Sequence, residues 1–138
     1  MPDQKITRLF LVRHGATELS AEDRFAGSIN PDLSQIGILQ AERLAQRLSD
    51  DSITAVYSSP MLRTIHTATI LARPHHITPL LRDPEAVRED VLDEIVSIAR
   101  ARERYGVVFT GTVENYDLAV DVAATAALRH RLRSGLAA

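Results

Sequence analysis

The chain has 138 residues, of which 45% are apolar and 25% charged, with a net charge of −2 and no cysteine. These values are typical of one ordinary soluble domain. They exclude a disulfide framework, a thiolate metal site and a strongly basic surface for nucleic acid or anionic membranes. No apolar run has the length of a membrane span or of a signal-peptide core, so we expect a cytoplasmic protein without nucleic-acid or membrane partners.

The first predicted element is a short strand, Leu9–Val12, which runs directly into Arg13, His14 and Gly15. A continuous apolar run of this kind is typical of a buried, parallel strand. Ligand sites in open α/β sheets lie beyond the carboxyl ends of the strands. Arginine binds phosphate oxygens and histidine is a nucleophile near neutral pH. The alternative reading is a strand end with a surface charge and a turn glycine.

A polar stretch without helical or strand periodicity, residues 16–31, follows and contains Ser20 and Gly27. A loop of this length in a compact domain is usually functional or disordered. Its place directly after the strand end favours a substrate loop, and disorder is the alternative.

A helix is predicted next, with Ser34 as its N-cap. Its expected apolar side is Ile36, Leu39, Leu44 and Leu48. A second strand, Ile53–Tyr57, is predicted to end at Ser58-Ser59-Pro60.

The following helix is predicted over Met61–Ala72, with Arg63 in its first turn, where the helix dipole favours an anion. Strand, helix, strand and helix form a βαβα unit, which implies a parallel sheet. Arg63 is therefore expected at the same sheet edge as Arg13 and His14.

This block resembles the histidine phosphatase superfamily, the phosphoglycerate-mutase-like enzymes. The resemblance covers residues 7–72. The motifs that carry it are Leu11-Val12-Arg13-His14-Gly15-Ala16-Thr17, Arg24-Phe25-Ala26-Gly27, Asp32-Leu33-Ser34 with Gly37 and Gln40-Ala41, and Val56-Tyr57-Ser58-Ser59-Pro60 with Arg63 and Thr67-Ala68.

The resemblance implies that His14 accepts the phosphoryl group and that Arg13 and Arg63 hold the phosphate oxygens. Ser20 stands where many members carry an asparagine that faces the phosphate. Gly27 matches a backbone position that lines the substrate cleft. Neither a metal nor another cofactor is implied, and the partner is a small phosphorylated metabolite.

Two parts of the family pattern have no recognisable match: an acidic glutamate after the second helix, and a later Ser-His-Gly turn. The remaining histidines after Ala72 are His75, His76 and His130, and we interpret all three as solvated surface residues. Adjacent histidines rarely converge on one ion, which argues against a metal site at His75 and His76.

Residues 82–138 resemble instead the carboxyl-terminal tail of the hydantoinase B/oxoprolinase family. We therefore predict a chimera with a partial histidine-phosphatase-like segment, 1–81, and a mostly helical tail, 82–138. In the tail, Asp83, Ser97 and Asp121 are predicted helix caps, and 106–110 is a predicted strand. Glu85, Glu89, Asp90 and Glu94 are interpreted as the exposed face of a helix, although one could replace the missing acid.

The predicted fold is α/β, with a small parallel sheet that is incomplete relative to the family. The tail or self-association would then cover the flank of the first strand. The predicted function is weak hydrolysis or isomerisation of a small phosphomonoester through phospho-His14. The alternatives are a catalytically inactive phosphate-binding or interaction protein, a chain that docks on a hydantoinase-like assembly, and a fusion relic.

Overall fold

The computed structural model describes residues 6–21 and 30–135, with only the backbone described at Ser20 and Ala21. The predicted site residue Gly27 lies outside this range, as does the side chain of Ser20. The helices are α1 (Glu18–Ala21), α2 (Gln35–Arg47), α3 (Leu62–Ala72), α4 (Pro84–Leu92), α5 (Ile98–Tyr105) and α6 (Val122–Arg133). A short 3₁₀ helix, Arg73–His75, follows α3.

The strands are short and form two separate pairs within the described residues. β1 (Tyr57–Ser58) and β2 (Leu80–Leu81) are parallel, with Tyr57 opposite Leu80 and Ser58 opposite Leu81. β3 (Phe109–Thr110) and β4 (Ala119–Val120) are antiparallel. The prediction of an α/β fold with a small parallel sheet flanked by helices is confirmed, and the parallel pair encloses α3 as a β-α-β unit.

The predicted buried strand Leu9–Val12 is wrong in the described structure. The segment is not paired with any described strand, and Leu9 and Leu11 are 77% and 89% exposed. The predicted second strand, Ile53–Tyr57, overlaps the observed β1 only at Tyr57. A cleft separates the two stretches, and a strand can form only where a second backbone lies about 5 Å away.

Helix α2 begins at the predicted cap, where Ser34 Oγ accepts a hydrogen bond from Gly37 N at 3.2 Å. Its buried face agrees with the prediction at Leu48 and partly at Leu44, but Ile36 and Leu39 are 64% and 52% exposed. The helix instead packs through small residues against α3, in a core of Leu33, Ala41, Ala45, Leu48, Ile70 and Leu71. Small side chains let the two helix backbones approach closely, and this close packing positions α3 beside the segment that carries His14.

The segment after residue 81 follows the predicted helix boundaries. Asp83, Ser97 and Asp121 each accept a backbone hydrogen bond as the N-caps of α4, α5 and α6. The predicted strand 106–110 is present only as β3. These elements enclose a core around Val87, Val91, Ala101, Val107 and Leu118. Leu128 and Leu132 of α6 pack on Met61, so this segment contacts the start of α3.

None of the helices in the described part of the chain has both the length and the apolar character needed to cross a membrane.

Candidate active site

His14 lies at the end of the extended segment and is partly buried. Its ring Nδ1 is 2.8 Å from the carbonyl oxygen of Gly15. Since a carbonyl oxygen can only accept a hydrogen bond, Nδ1 must carry the proton in this contact. In the neutral ring, Nε2 is then left with a free lone pair, which is the state that a histidine nucleophile needs.

Thr67 connects the His14 segment with α3. Gly15 N donates to Thr67 Oγ1 at 3.1 Å, and the Thr67 hydroxyl donates to the carbonyl oxygen of Arg63 at 2.7 Å. Thr67 is 5% exposed, so both bonds are shielded from water. One buried hydroxyl therefore holds the backbone next to His14 against the first turns of α3, where Arg63 lies.

The turn after His14 is fixed from the other side by α2. Ala16 N donates to Gln40 Oε1 at 2.9 Å, and Ser34 N donates to the carbonyl oxygen of Ala16 at 2.9 Å. A Cβ on Gly15 would collide with the Gly37 backbone. The glycine is therefore required by the close approach of two backbones, which orients His14.

Arg63 is only 6% exposed, and its Nη1 is buried without a hydrogen-bond partner among the described residues. Burial, followed by the positive charge of Arg104, lowers the pKa of Arg63 from its ordinary value. A buried guanidinium without an anion is costly, because its hydration is lost and nothing replaces it. The arrangement is suited to an anionic ligand such as phosphate.

Arg13 is not brought together with His14 and Arg63 by any contact within the described range. Its side chain is exposed and lines a shallow groove with Leu44, Arg47 and Asp51. His14 lines the opposite, larger cleft, as expected for neighbouring residues of an extended chain. The role predicted for Arg13 stays a prediction.

The larger cleft has a volume of about 1040 Å³ and lies between residues 6–12 and 50–59. The α3 residues Thr64, Thr67, Ala68 and Leu71 form a third side. Arg63 is not among the lining residues. The cleft therefore reaches His14 and Thr67, while Arg63 lies behind the Thr67 contact.

The other histidines are separate from His14. His66 Nδ1 lies 2.7 Å from Asp32 Oδ1, and His76 and His130 are exposed as predicted. His75 was predicted to be solvated, but it is partly buried and its Nε2 has no described partner. Within residues 6–21 and 30–135, no three His, Asp or Glu side chains are grouped as metal ligands.

The structural roles of Thr67 and Arg104 are not predicted by the sequence motifs. Thr67 was part of the family motif, and its signal was a polar residue four positions after Arg63 on an otherwise apolar helix face. No local signal marks Arg104, because its place depends on the contact of the end of α5 with Ser59 in the turn before α3.

We predict that Thr67→Val destabilises the fold by about 1–3 kcal/mol, because the buried N–H of Gly15 loses its acceptor. The measurement is the free energy of unfolding from urea titration. The matched control is Thr69→Val, since the Thr69 hydroxyl also donates to the carbonyl four residues earlier but is exposed. Equal effects of the two substitutions would contradict the assigned role of Thr67.

The sequence matches a known protein family and is similar to several known proteins. The model of the histidine phosphatase superfamily (branch 1) matches residues 9–106. The chain is 38% identical over 90 residues to phosphoserine phosphatase 1 of Hydrogenobacter thermophilus, covering 65% of this chain and 39% of that protein. It is 34% identical over 84 residues to the metal-independent phosphoserine phosphatase of Arabidopsis thaliana, covering 60% and 35% of the two chains.

A probable phosphoglycerate mutase, GpmB of Yersinia pestis, is 40% identical over 77 residues, which are 56% of this chain and 35% of that protein. The chain thus spans well under half the length of these relatives. The family match continues past residue 81, the predicted end of the phosphatase-like segment, and includes α4 and α5. The chain belongs to the histidine phosphatase superfamily.

Proposed function

We propose that this protein transfers the phosphoryl group of a small phosphomonoester to His14. The observation that carries the proposal is the Nδ1 contact to the Gly15 carbonyl, which leaves Nε2 free to attack phosphorus. The P–N bond forms as the ester P–O bond breaks, and the leaving oxygen takes a proton from water. Water then attacks the phosphohistidine, which releases phosphate and restores neutral His14.

Arg63 supplies the positive charge for this step. Its buried guanidinium has no anionic partner among the described residues, so a phosphate would gain an almost fully desolvated contact. Thr67 fixes the Gly15 backbone, next to the nucleophile, relative to the Arg63 backbone in the first turn of α3. Arg13 is a proposed second phosphate ligand, but its side chain lines the groove opposite His14 and would have to turn across the extended segment to reach the phosphate.

The proposed substrate class is a small phosphomonoester, supported by relatives named phosphoserine phosphatase and probable phosphoglycerate mutase. No described carboxylate contacts His14, whose hydrogen bond goes to Gly15. A leaving group that needs no protonation should therefore react fastest. We expect para-nitrophenyl phosphate to be hydrolysed faster than an alkyl phosphate.

The test is to trap the phosphoenzyme. The protein is mixed with para-nitrophenyl phosphate, quenched in alkali, where phosphohistidine survives, and digested for mass spectrometry. We expect one added phosphoryl group on the peptide that contains His14. A phosphoryl group on His66 or on a serine instead, or steady turnover without any phosphoenzyme on rapid quenching, would contradict the proposal.

The second candidate function is phosphate binding without turnover. It is favoured by two observations taken together: the buried Arg63 Nη1 has no described partner, and no described acid contacts His14. It predicts saturable binding of inorganic phosphate in a folded protein that never forms a phosphoenzyme. Docking on a hydantoinase-like assembly through residues 82–138 stays a prediction, and a pull-down that recovers no such subunit would count against it.

A further inference from the structure

The end of α5 is held against the start of α3. Ser59 Oγ donates to the carbonyl oxygen of Arg104 at 2.7 Å and accepts from Met61 N at 3.3 Å. Gly106 ends α5 with φ 62°, and a Cβ built on it would lie 3.2 Å from Pro60 Cγ. The backbone of Arg104 is therefore fixed beside the turn that leads into Arg63.

The guanidinium of Arg104 is exposed and makes no ion pair or hydrogen bond within the described parts of the chain. It is nevertheless close enough for its charge to act on Arg63, whose pKa it lowers. Two neighbouring guanidiniums repel each other unless an anion lies between them. Neither is paired with a described carboxylate, so an anionic ligand bound between them would relieve this repulsion.

We propose that Arg104 is a second substrate-binding residue, which holds the oxygens of the phosphoryl group together with the buried Arg63. This inference rests on the proposed phosphate site at Arg63 and adds a residue from α5 to it. Arg63 supplies a desolvated and rigid contact. The exposed Arg104 side chain contacts the ligand from the solvent side, where the ligand binds and leaves.

Arg63 is buried and Arg104 is exposed, and this difference has a measurable consequence. Arg104 is exposed, so its loss should weaken binding without unfolding the protein. It touches neither His14 nor Thr67 in the described structure, so its loss should act on substrate binding more than on the chemical step. We therefore expect a larger change in KM than in kcat.

The experiment measures the Kd of inorganic phosphate by calorimetry for the full chain and for Arg104→Ala, Arg104→Lys and Arg102→Ala. Arg102 is the matched control, because it is an exposed arginine in the same last turn of α5. We expect Arg104→Ala to raise the Kd by about 10-fold or more, which corresponds to one lost charge-assisted hydrogen bond. Lysine should restore part of the affinity, and Arg102→Ala should stay within about twofold of the wild type.

The outcomes separate this inference from the proposed function. An unchanged Kd in Arg104→Ala, with binding lost in an Arg63 variant, would overturn the role of Arg104 and leave the proposed site intact. Equal losses in Arg104→Ala and Arg102→Ala would also overturn it, because the effect would then be one of general charge. If phosphate binding depends on Arg104 but the protein never forms a phosphoenzyme, the role of Arg104 is supported and the proposed catalysis is contradicted. A wild-type protein that binds no phosphate would overturn both.

Discussion

Replacing His14 by asparagine should abolish phosphoryl transfer while leaving phosphate binding in place. The asparagine amide can still donate to the Gly15 carbonyl, which His14 Nδ1 contacts at 2.8 Å, so the turn should keep its conformation. The substitution removes the nucleophilic Nε2 and leaves Arg63 untouched. We expect the kcat for para-nitrophenyl phosphate to fall by at least about 10³-fold, since loss of a nucleophile removes the covalent route.

The control for this experiment is His130→Asn, because His130 is an exposed histidine on α6. It should retain the wild-type rate. Each variant also needs its Kd for inorganic phosphate, which we expect to change by less than about threefold, since the guanidinium contacts remain. Turnover that survives in His14→Asn would place the nucleophile elsewhere and contradict the proposed function.

The features that the sequence predicts correctly are local ones. All four predicted N-caps are confirmed: Ser34, Asp83, Ser97 and Asp121. A cap can be predicted from local sequence because it satisfies N–H groups only two or three residues away. The helix that carries Arg63 is likewise determined by its own apolar spacing and by Pro60 before it.

The predictions that are wrong concern features that depend on distant parts of the chain. The apolar run Leu9–Val12 has the composition of a buried strand, but a strand also needs a neighbouring backbone, and the described structure has a cleft there. The same dependence on distant parts of the chain explains which contacts of the candidate site were not predicted. The order of motifs placed His14 and Arg63 in one region, whereas the Thr67 hydroxyl bridge and the Ser59–Arg104 contact join segments that are far apart in sequence.

Arg63→Met should abolish phosphate binding and, without phosphate, should not destabilise the fold. Methionine keeps an unbranched apolar side chain in a position that is 6% exposed, while it removes a charge with no described anionic partner. Replacing buried charge by apolar groups of similar volume is often neutral or stabilising. We expect the free energy of unfolding in phosphate-free buffer to be unchanged or raised by about 1 kcal/mol.

The direction of the pKa shift supports this expectation. Burial and Arg104 lower the pKa of Arg63, so the folded protein holds that proton less tightly than the unfolded chain does. The charged guanidinium therefore opposes folding across the neutral range. Methionine removes this penalty across the neutral range.

Phosphate should reverse the order of stability of the two proteins. Phosphate at 100 times its Kd should stabilise the wild type by about 2.7 kcal/mol, whereas Arg63→Met should gain nothing. The measurement is the Tm of both proteins with and without phosphate, and Arg43→Met, an exposed arginine on α2, is the control for lost charge. If Arg63→Met is destabilised in phosphate-free buffer and still gains stability from phosphate, Arg63 is a structural residue and the anion binds elsewhere. The crossover predicted here would mean that the chain keeps a destabilising buried charge because it binds the phosphoryl group.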